Sequence, residues 1–103
     1  MGSPTTVKKF REAAVFFSAL AEPYRQDIIL LLAETEEMNV REIAGQIDLS
    51  RPAVSHHLKV LRQCGLVEAQ KRGTENYYTL TLKEPLNQLK AFIKDIEEDC
   101  VIR

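Results

Sequence analysis

"SRPAVSHHLKVLRQCGLV", residues 50–67, places two adjacent histidines, two serines, a proline and four basic or amide side chains on what reads as one helix. Winding the segment at about 100° per residue brings Val54, Leu58 and Leu61 within roughly 60° of one another, a stripe built for burial. Pro52, Ser55, His56, Lys59 and Gln63 fall together on the opposite side, flanked by Arg51 and Arg62. Ser50 is suited to cap the helix start, since its hydroxyl accepts an orphan amide hydrogen bond. Gly65 suits a left-handed exit at the other end. A purely solvating face would mix in glutamates at helical pair spacing; this one is polar, basic and rich in hydrogen-bonding groups.

Neighbouring helical side chains point about 100° apart, so His56 and His57 cannot readily chelate one metal ion. For the same reason Ser55 and His56 form no catalytic dyad, and the sequence places no orienting acid beside them. His56 faces outward with the polar side, whereas His57 lies nearer the buried stripe and reads as structural or phosphate-bonding. What remains is a surface matched to base edges and phosphates.

The flanks supply the rest of a helical domain. Val7, Phe10, Ala14 and Phe17 recur at steps of three and four, predicting a first helix over 7–20. Pro23 suits the first position of a second helix, over 23–34, whose Ile28, Ile29, Leu31 and Leu32 cover more than one side and mark it as central. Asn39 and Glu42 form a capping-box-like start for a short third helix carrying Val40, Ile43, Ala44 and Ile47. After the turn "DLS" the fourth helix begins at Arg51 and ends at Gly65. "LVEAQKRGTENYYTLTL", residues 66–82, then changes to β-branched and aromatic character around Arg72-Gly73, predicting a two-stranded hairpin. Beyond Pro85, Leu86, Leu89, Ile93, Ile96 and Cys100 step by three and four, the seam of a helix that pairs with another. The fold class is therefore mostly α with a small β-hairpin, α1-α2-α3-α4-β-β-α5.

At 103 residues with 28% charged content, the chain has room for one core. Residues 7–103 are expected to form that single domain, and residues 1–6 a disordered N-terminus whose Met1-Gly2-Ser3 has the look of a cloning scar. No apolar run reaches the roughly 18–20 residues of a membrane span, and no leader is recognised, so a soluble, cytoplasmic protein without a membrane partner is expected. The net charge is −1, yet residues 50–73 carry Arg51, Lys59, Arg62, Lys71 and Arg72 against Glu68 alone, a basic middle in an acidic frame. No acid–base pair, phosphate-cradling glycine loop or metal constellation places a reaction, so the chain reads as no enzyme and calls for no cofactor.

A short helix, a tight turn and a second helix with Arg, Ser and His on its outer face make a helix-turn-helix, with Lys71, Arg72 and Thr74 at the tip of a wing. At these residues the chain resembles the ArsR-type (ArsR/SmtB-like) winged helix-turn-helix repressor family. The resemblance rests on "LAEPYRQDIILLLAE" (20–34), "VREIAGQIDLSRPAVSHHLKVLRQCGLVEAQKRG" (40–73) and "YYTL" (77–80). It implies a homodimeric DNA-binding transcriptional repressor of double-stranded, near-palindromic operators. Position by position it puts Ser50, Arg51, Pro52, Ser55, His56 and Lys59 against DNA and Lys71 and Arg72 in the wing. The recognition helix is expected over about 51–64 and the wing over about 68–79, with Arg62 and Thr74 joining the contacts and Lys59, Arg62, Lys71 and Arg72 binding phosphates. The first and last helices become the dimer interface, through Val7, Phe10, Phe17, Leu86, Leu89, Ile93, Ile96 and Cys100.

Many relatives implied by this resemblance sense metals through two cysteines near the third helix, but "EMNVREIA" sets Asn39 and Arg41 at those positions. Arginine is no ligand for a soft metal. The other familiar site needs histidines on the last helix, and none follows His57, so no metal residue is assigned. Cys64 reads as a small core residue and Cys100 as a thiol near the last helix. A thiol-responsive repressor using Cys100, Cys64 or both is one alternative, and a winged-helix interaction module without DNA binding is another. The acidic run Glu97, Glu98, Asp99 reads as a solvated helix face. The inducing signal is not readable from these residues.

Overall fold

The computed structural model describes residues 4–99. Five helices and three short strands follow in the order α1 (Pro4–Leu20), α2 (Pro23–Glu34), β1 (Met38–Asn39), α3 (Val40–Gln46), α4 (Arg51–Gln63), β2 (Val67–Arg72), β3 (Glu75–Leu80) and α5 (Lys83–Asp99). The sheet is antiparallel, ordered β1-β3-β2. This is a winged helix-turn-helix.

Two expected elements change. The first helix begins at Pro4 rather than Val7, because Thr6 is buried and its hydroxyl bonds the Asp99 carboxylate of α5, so residues 4–6 belong to the folded helix. The hairpin gains a third strand, Met38 opposite Tyr78 and Asn39 opposite Tyr77. Two residues carry no period that sequence reading can detect. Their strand character comes from the open edge of β3, which offers unpaired amides and carbonyls.

One core joins the helices to the sheet: Ile28 and Leu32 of α2, Met38, Ile43 of α3, Val54, Leu58 and Leu61 of α4, and Leu66 and Val67. Ile28, Ile43, Val54, Leu58 and Leu61 are fully buried. Each such aliphatic side chain contributes about 1.5–3 kcal/mol relative to exposure. The expected stripe of α4 is the buried one, whereas α2 buries only Ile28 and Leu32 and leaves Leu30 63% exposed, so it lines one side of the core and is not its most buried element.

Local signals set the ends. Glu22 caps α2, its carboxylate accepting from the Arg25 amide at 2.9 Å, with Pro23 at the first helical position. Asn39 and Glu42 form a full capping box on α3, with bonds of 2.8 and 3.0 Å. The C-terminus of α4 closes with Gly65 N–H on the Arg62 carbonyl and Leu66 N–H on the Leu61 carbonyl, both 3.0 Å. That paired bonding is the Schellman arrangement, and Gly65 adopts its left-handed φ of +74°. It turns the chain directly into β2, aiming the wing beside the recognition helix.

α1 and α5 pack together along one side and extend the molecule to 49 × 24 × 21 Å. The Cα radius of gyration, 16.1 Å, exceeds the roughly 13 Å of a compact 100-residue domain. Ala13 and Phe92 are buried on these two helices, and Lys9 pairs with Asp95 at 2.7 Å. The expected interface residues Phe10, Phe17, Leu86 and Ile93 remain 44–59% exposed. Val7, Leu89 and Ile96 are half-buried. Cys100 lies outside the described residues. Phe92, absent from the predicted seam, is the residue that seats α5 on α1.

Candidate nucleic-acid interface

Because Val54, Leu58 and Leu61 anchor α4 inward, the opposite side is forced out. Arg51, Pro52, Ser55, His56, Lys59 and Arg62 are all exposed, as their helical spacing predicts. Ser50 accepts from the Ala53 amide at 3.3 Å, so its hydroxyl caps the helix while the residue stays exposed. The wing stands beside this face. Arg51 and Ser55 share a groove with Thr74 and Asn76 of the hairpin and with Arg41 at the start of α3. Sequence reading missed Arg41 and Asn76: only the placement of α3 and β3 beside α4 brings them to the groove.

His57 sits on the inner flank, its side chain 13% exposed, with Nδ1 3.4 Å from Arg25 Nη1 and 3.8 Å from the Glu22 carboxylate. Arg25 in turn donates through Nε to the Ala19 carbonyl at 2.6 Å. This cluster ties α4 to the α1–α2 corner, in keeping with the structural one of the two roles read for His57 from its position. The His56 and His57 rings stand 5.8 Å apart, tilted by 57°.

Lys71 and Arg72 are adjacent in sequence but not in direction. Strand residues alternate faces, and the register places Arg72 opposite Glu75, on the same side as Tyr77 and Asn39. The Arg72 guanidinium bonds Glu37 in the α2–β1 loop and lies 4.0 Å over the Tyr77 ring. The hydrogen bond to Glu37 raises the Arg72 pKa further above its already high value. Glu75 accepts from Asn39 Nδ2 at 3.0 Å and from the Tyr77 hydroxyl at 3.4 Å, with Arg41 Nε 3.8 Å away. Lys71 and Thr74 are exposed at the tip of the wing.

The two positions at which a metal-sensing relative would carry cysteines serve other bonds here. Asn39 spends its carboxamide on the Glu42 amide and on Glu75, and Arg41 reaches toward the wing. Among the described residues no three His, Cys, Asp or Glu side chains converge as a metal cluster. Cys64, at the end of α4, is half-buried; burial pushes its thiol pKa up, partly offset by the nearby Arg25 charge. No helix among the described residues is long and apolar enough to cross a membrane.

The architecture and the exposed basic helix define a winged helix-turn-helix transcriptional regulator. Residues 22–69 match the model of the bacterial regulatory protein arsR family. An uncharacterized HTH-type transcriptional regulator of Methanocaldococcus jannaschii is 36% identical over 92 residues, 89% of this chain and 99% of that protein. The transcriptional repressor SdpR of Bacillus subtilis is 31% identical, covering 81% of this chain and 94% of the repressor. Among solved structures, a homodimeric winged helix-turn-helix DNA-binding domain from Mycobacterium bovis superposes with a TM-score of 0.73 at 30% identity, covering 95% of this chain and 89% of the other. The chain belongs to the ArsR family, whose members are transcriptional regulators and not enzymes.

Proposed function

We propose that this protein is a homodimeric, sequence-specific DNA-binding repressor of the cytoplasm. The observation that carries this reading is α4 itself: three fully buried side chains on one side and an unbroken exposed row of Arg51, Ser55, His56, Lys59 and Arg62 on the other. The recognition helices, residues 51–64, enter successive major grooves of a near-palindromic operator about one helical turn apart, while the wings, residues 68–79, track the backbone. Arg51, Ser55 and His56 read base edges; Lys59, Arg62 and Lys71 bind phosphates, with Ser50, Pro52 and Thr74 lining the approach. The apolar outer faces of α1 and α5 pair across the two-fold axis. The homodimeric Mycobacterium bovis domain and the Bacillus subtilis repressor SdpR support the dimer and the repression.

The test is fluorescence anisotropy of the reduced protein with duplex DNA from upstream of its own gene and with a shuffled duplex, at near-physiological salt. Tight binding to the upstream duplex alone, weakening steeply with salt, is the expected result. Weak and equal binding to both would move the protein to a winged-helix interaction module.

A further inference from the structure

We propose that Arg72 is a positioning residue that docks the wing onto the α2–β1 loop through Glu37, leaving Lys71 as the wing's phosphate-binding cation. The inference deepens the DNA-binding reading and rests on it. Its basis is the geometry of the hairpin's outer face. Arg72 and Tyr77 are diagonal neighbours across the β2–β3 pair, and the guanidinium bridges from the Tyr77 ring to the Glu37 carboxylate of a different segment. Tyr77 continues the chain of contacts to Glu75, and Glu75 to Asn39, the capping residue of α3. The outer face of the wing is thereby tied, residue by residue, to the start of the helix-turn-helix.

A planar guanidinium suits this task, since it bonds a carboxylate in plane and stacks on an aromatic ring at the same time. β1 pairs with β3 only at Tyr77 and Tyr78, so the tip beyond them, where Gly73 and Thr74 make a two-residue loop, would swing on its two strands. Glu37 fixes that swing. Lys71, one residue earlier and therefore on the opposite face, is left to meet phosphate.

The two roles make opposite predictions for Glu37→Gln. If Arg72 positions the wing, removing the carboxylate weakens binding to the upstream duplex, roughly two- to five-fold for a half-exposed ion pair. Arg72→Gln does the same, the double variant is no worse than either single one, and the slope of log K against log salt stays at the wild-type value. Lys71→Gln, in contrast, lowers that slope by about 0.9 per protomer. If Arg72 were a phosphate contact, Glu37→Gln would release a cation and tighten binding, and Arg72→Gln would lower the slope as Lys71→Gln does; either result overturns the proposal. Hydrogen exchange at residues 71–76 in DNA-free protein separates this from failure of the DNA-binding reading. Faster exchange in both single variants supports docking even if no duplex binds, and unchanged exchange overturns it.

Discussion

Phe10 of α1 and Phe92 of α5 meet edge to face, centroids 5.6 Å apart and planes at 77°, yet Phe92 is 8% exposed and Phe10 59%. One side of Phe10 is consumed in joining the two helices and the other is open. Phe17 lies seven residues on, and Leu86 and Ile93 repeat that spacing on α5, so the open apolar groups form matched rows. A monomer of this size seldom leaves such a surface uncovered.

Ile93→Glu, placed on this open row, is therefore expected to dissociate the dimer while leaving the protomer folded. Sedimentation velocity should show a weakening of at least about 30-fold, the factor for a 2 kcal/mol interface residue. Circular dichroism should be unchanged, and a dimer that survives intact would remove α5 from the interface.

On the proposed DNA-binding face, Arg51→Ala and Lys71→Ala should fail differently. Loss of Arg51 should reduce discrimination between operator and shuffled duplex by about 1–3 kcal/mol. Loss of Lys71 should weaken both duplexes alike. Equal losses on both duplexes for both variants would refute the division between base reading and phosphate contact.

Gly65→Ala tests the exit from α4. A Cβ there would meet Pro85 Cγ at 3.7 Å, an ordinary contact, so any cost arises from the backbone φ of +74°. Forcing a side chain into that region costs about 1–2 kcal/mol. Urea denaturation at fixed protein concentration should register it, with Gly65→Asn affected less.

Leu58→Ala should cost about 2–5 kcal/mol in the same assay, because it opens a cavity at a fully buried site. His56→Ala, on the exposed side of α4 opposite the buried stripe, should stay within about 0.5 kcal/mol while reducing DNA affinity.

Cys64 should react slowly. Burial raises its pKa above the ordinary thiol value, so native protein carries less thiolate than unfolded chain at the same pH. In a Cys100→Ser background, reaction with a disulfide reagent at pH 8 should be slower in native protein than in urea. A folded pKa above the unfolded one also favours the native state below the unfolded thiol pKa, and that contribution is lost as pH rises through the folded value.

Much of the domain was legible because its signals are local. The stripe of Val54, Leu58 and Leu61 specifies which side of α4 is buried, and burial of that side dictates which side is presented. Glu22-Pro23, the Asn39–Glu42 box, Ser50 and Gly65 punctuate the helices through bonds that span at most five residues. The length of α1 was not legible, since Pro4–Thr6 become helical through the contact of Thr6 with Asp99, 93 residues away. β1 was invisible for a similar reason: its two residues gain strand geometry only from β3.

The same distinction separates the site residues. The amino-acid sequence by itself determined the helix-turn-helix, the basic outer row of α4 and the hairpin after it, because helical and strand periods are properties of neighbouring residues. Only the tertiary structure decided that Arg41 and Asn76 border the groove, that Phe92 rather than the outer row seats α5 on α1, and that Arg72 turns to Glu37 while Lys71 does not. Those outcomes depend on strand register and on loops meeting across the fold, where a shift of one residue exchanges one face for the other.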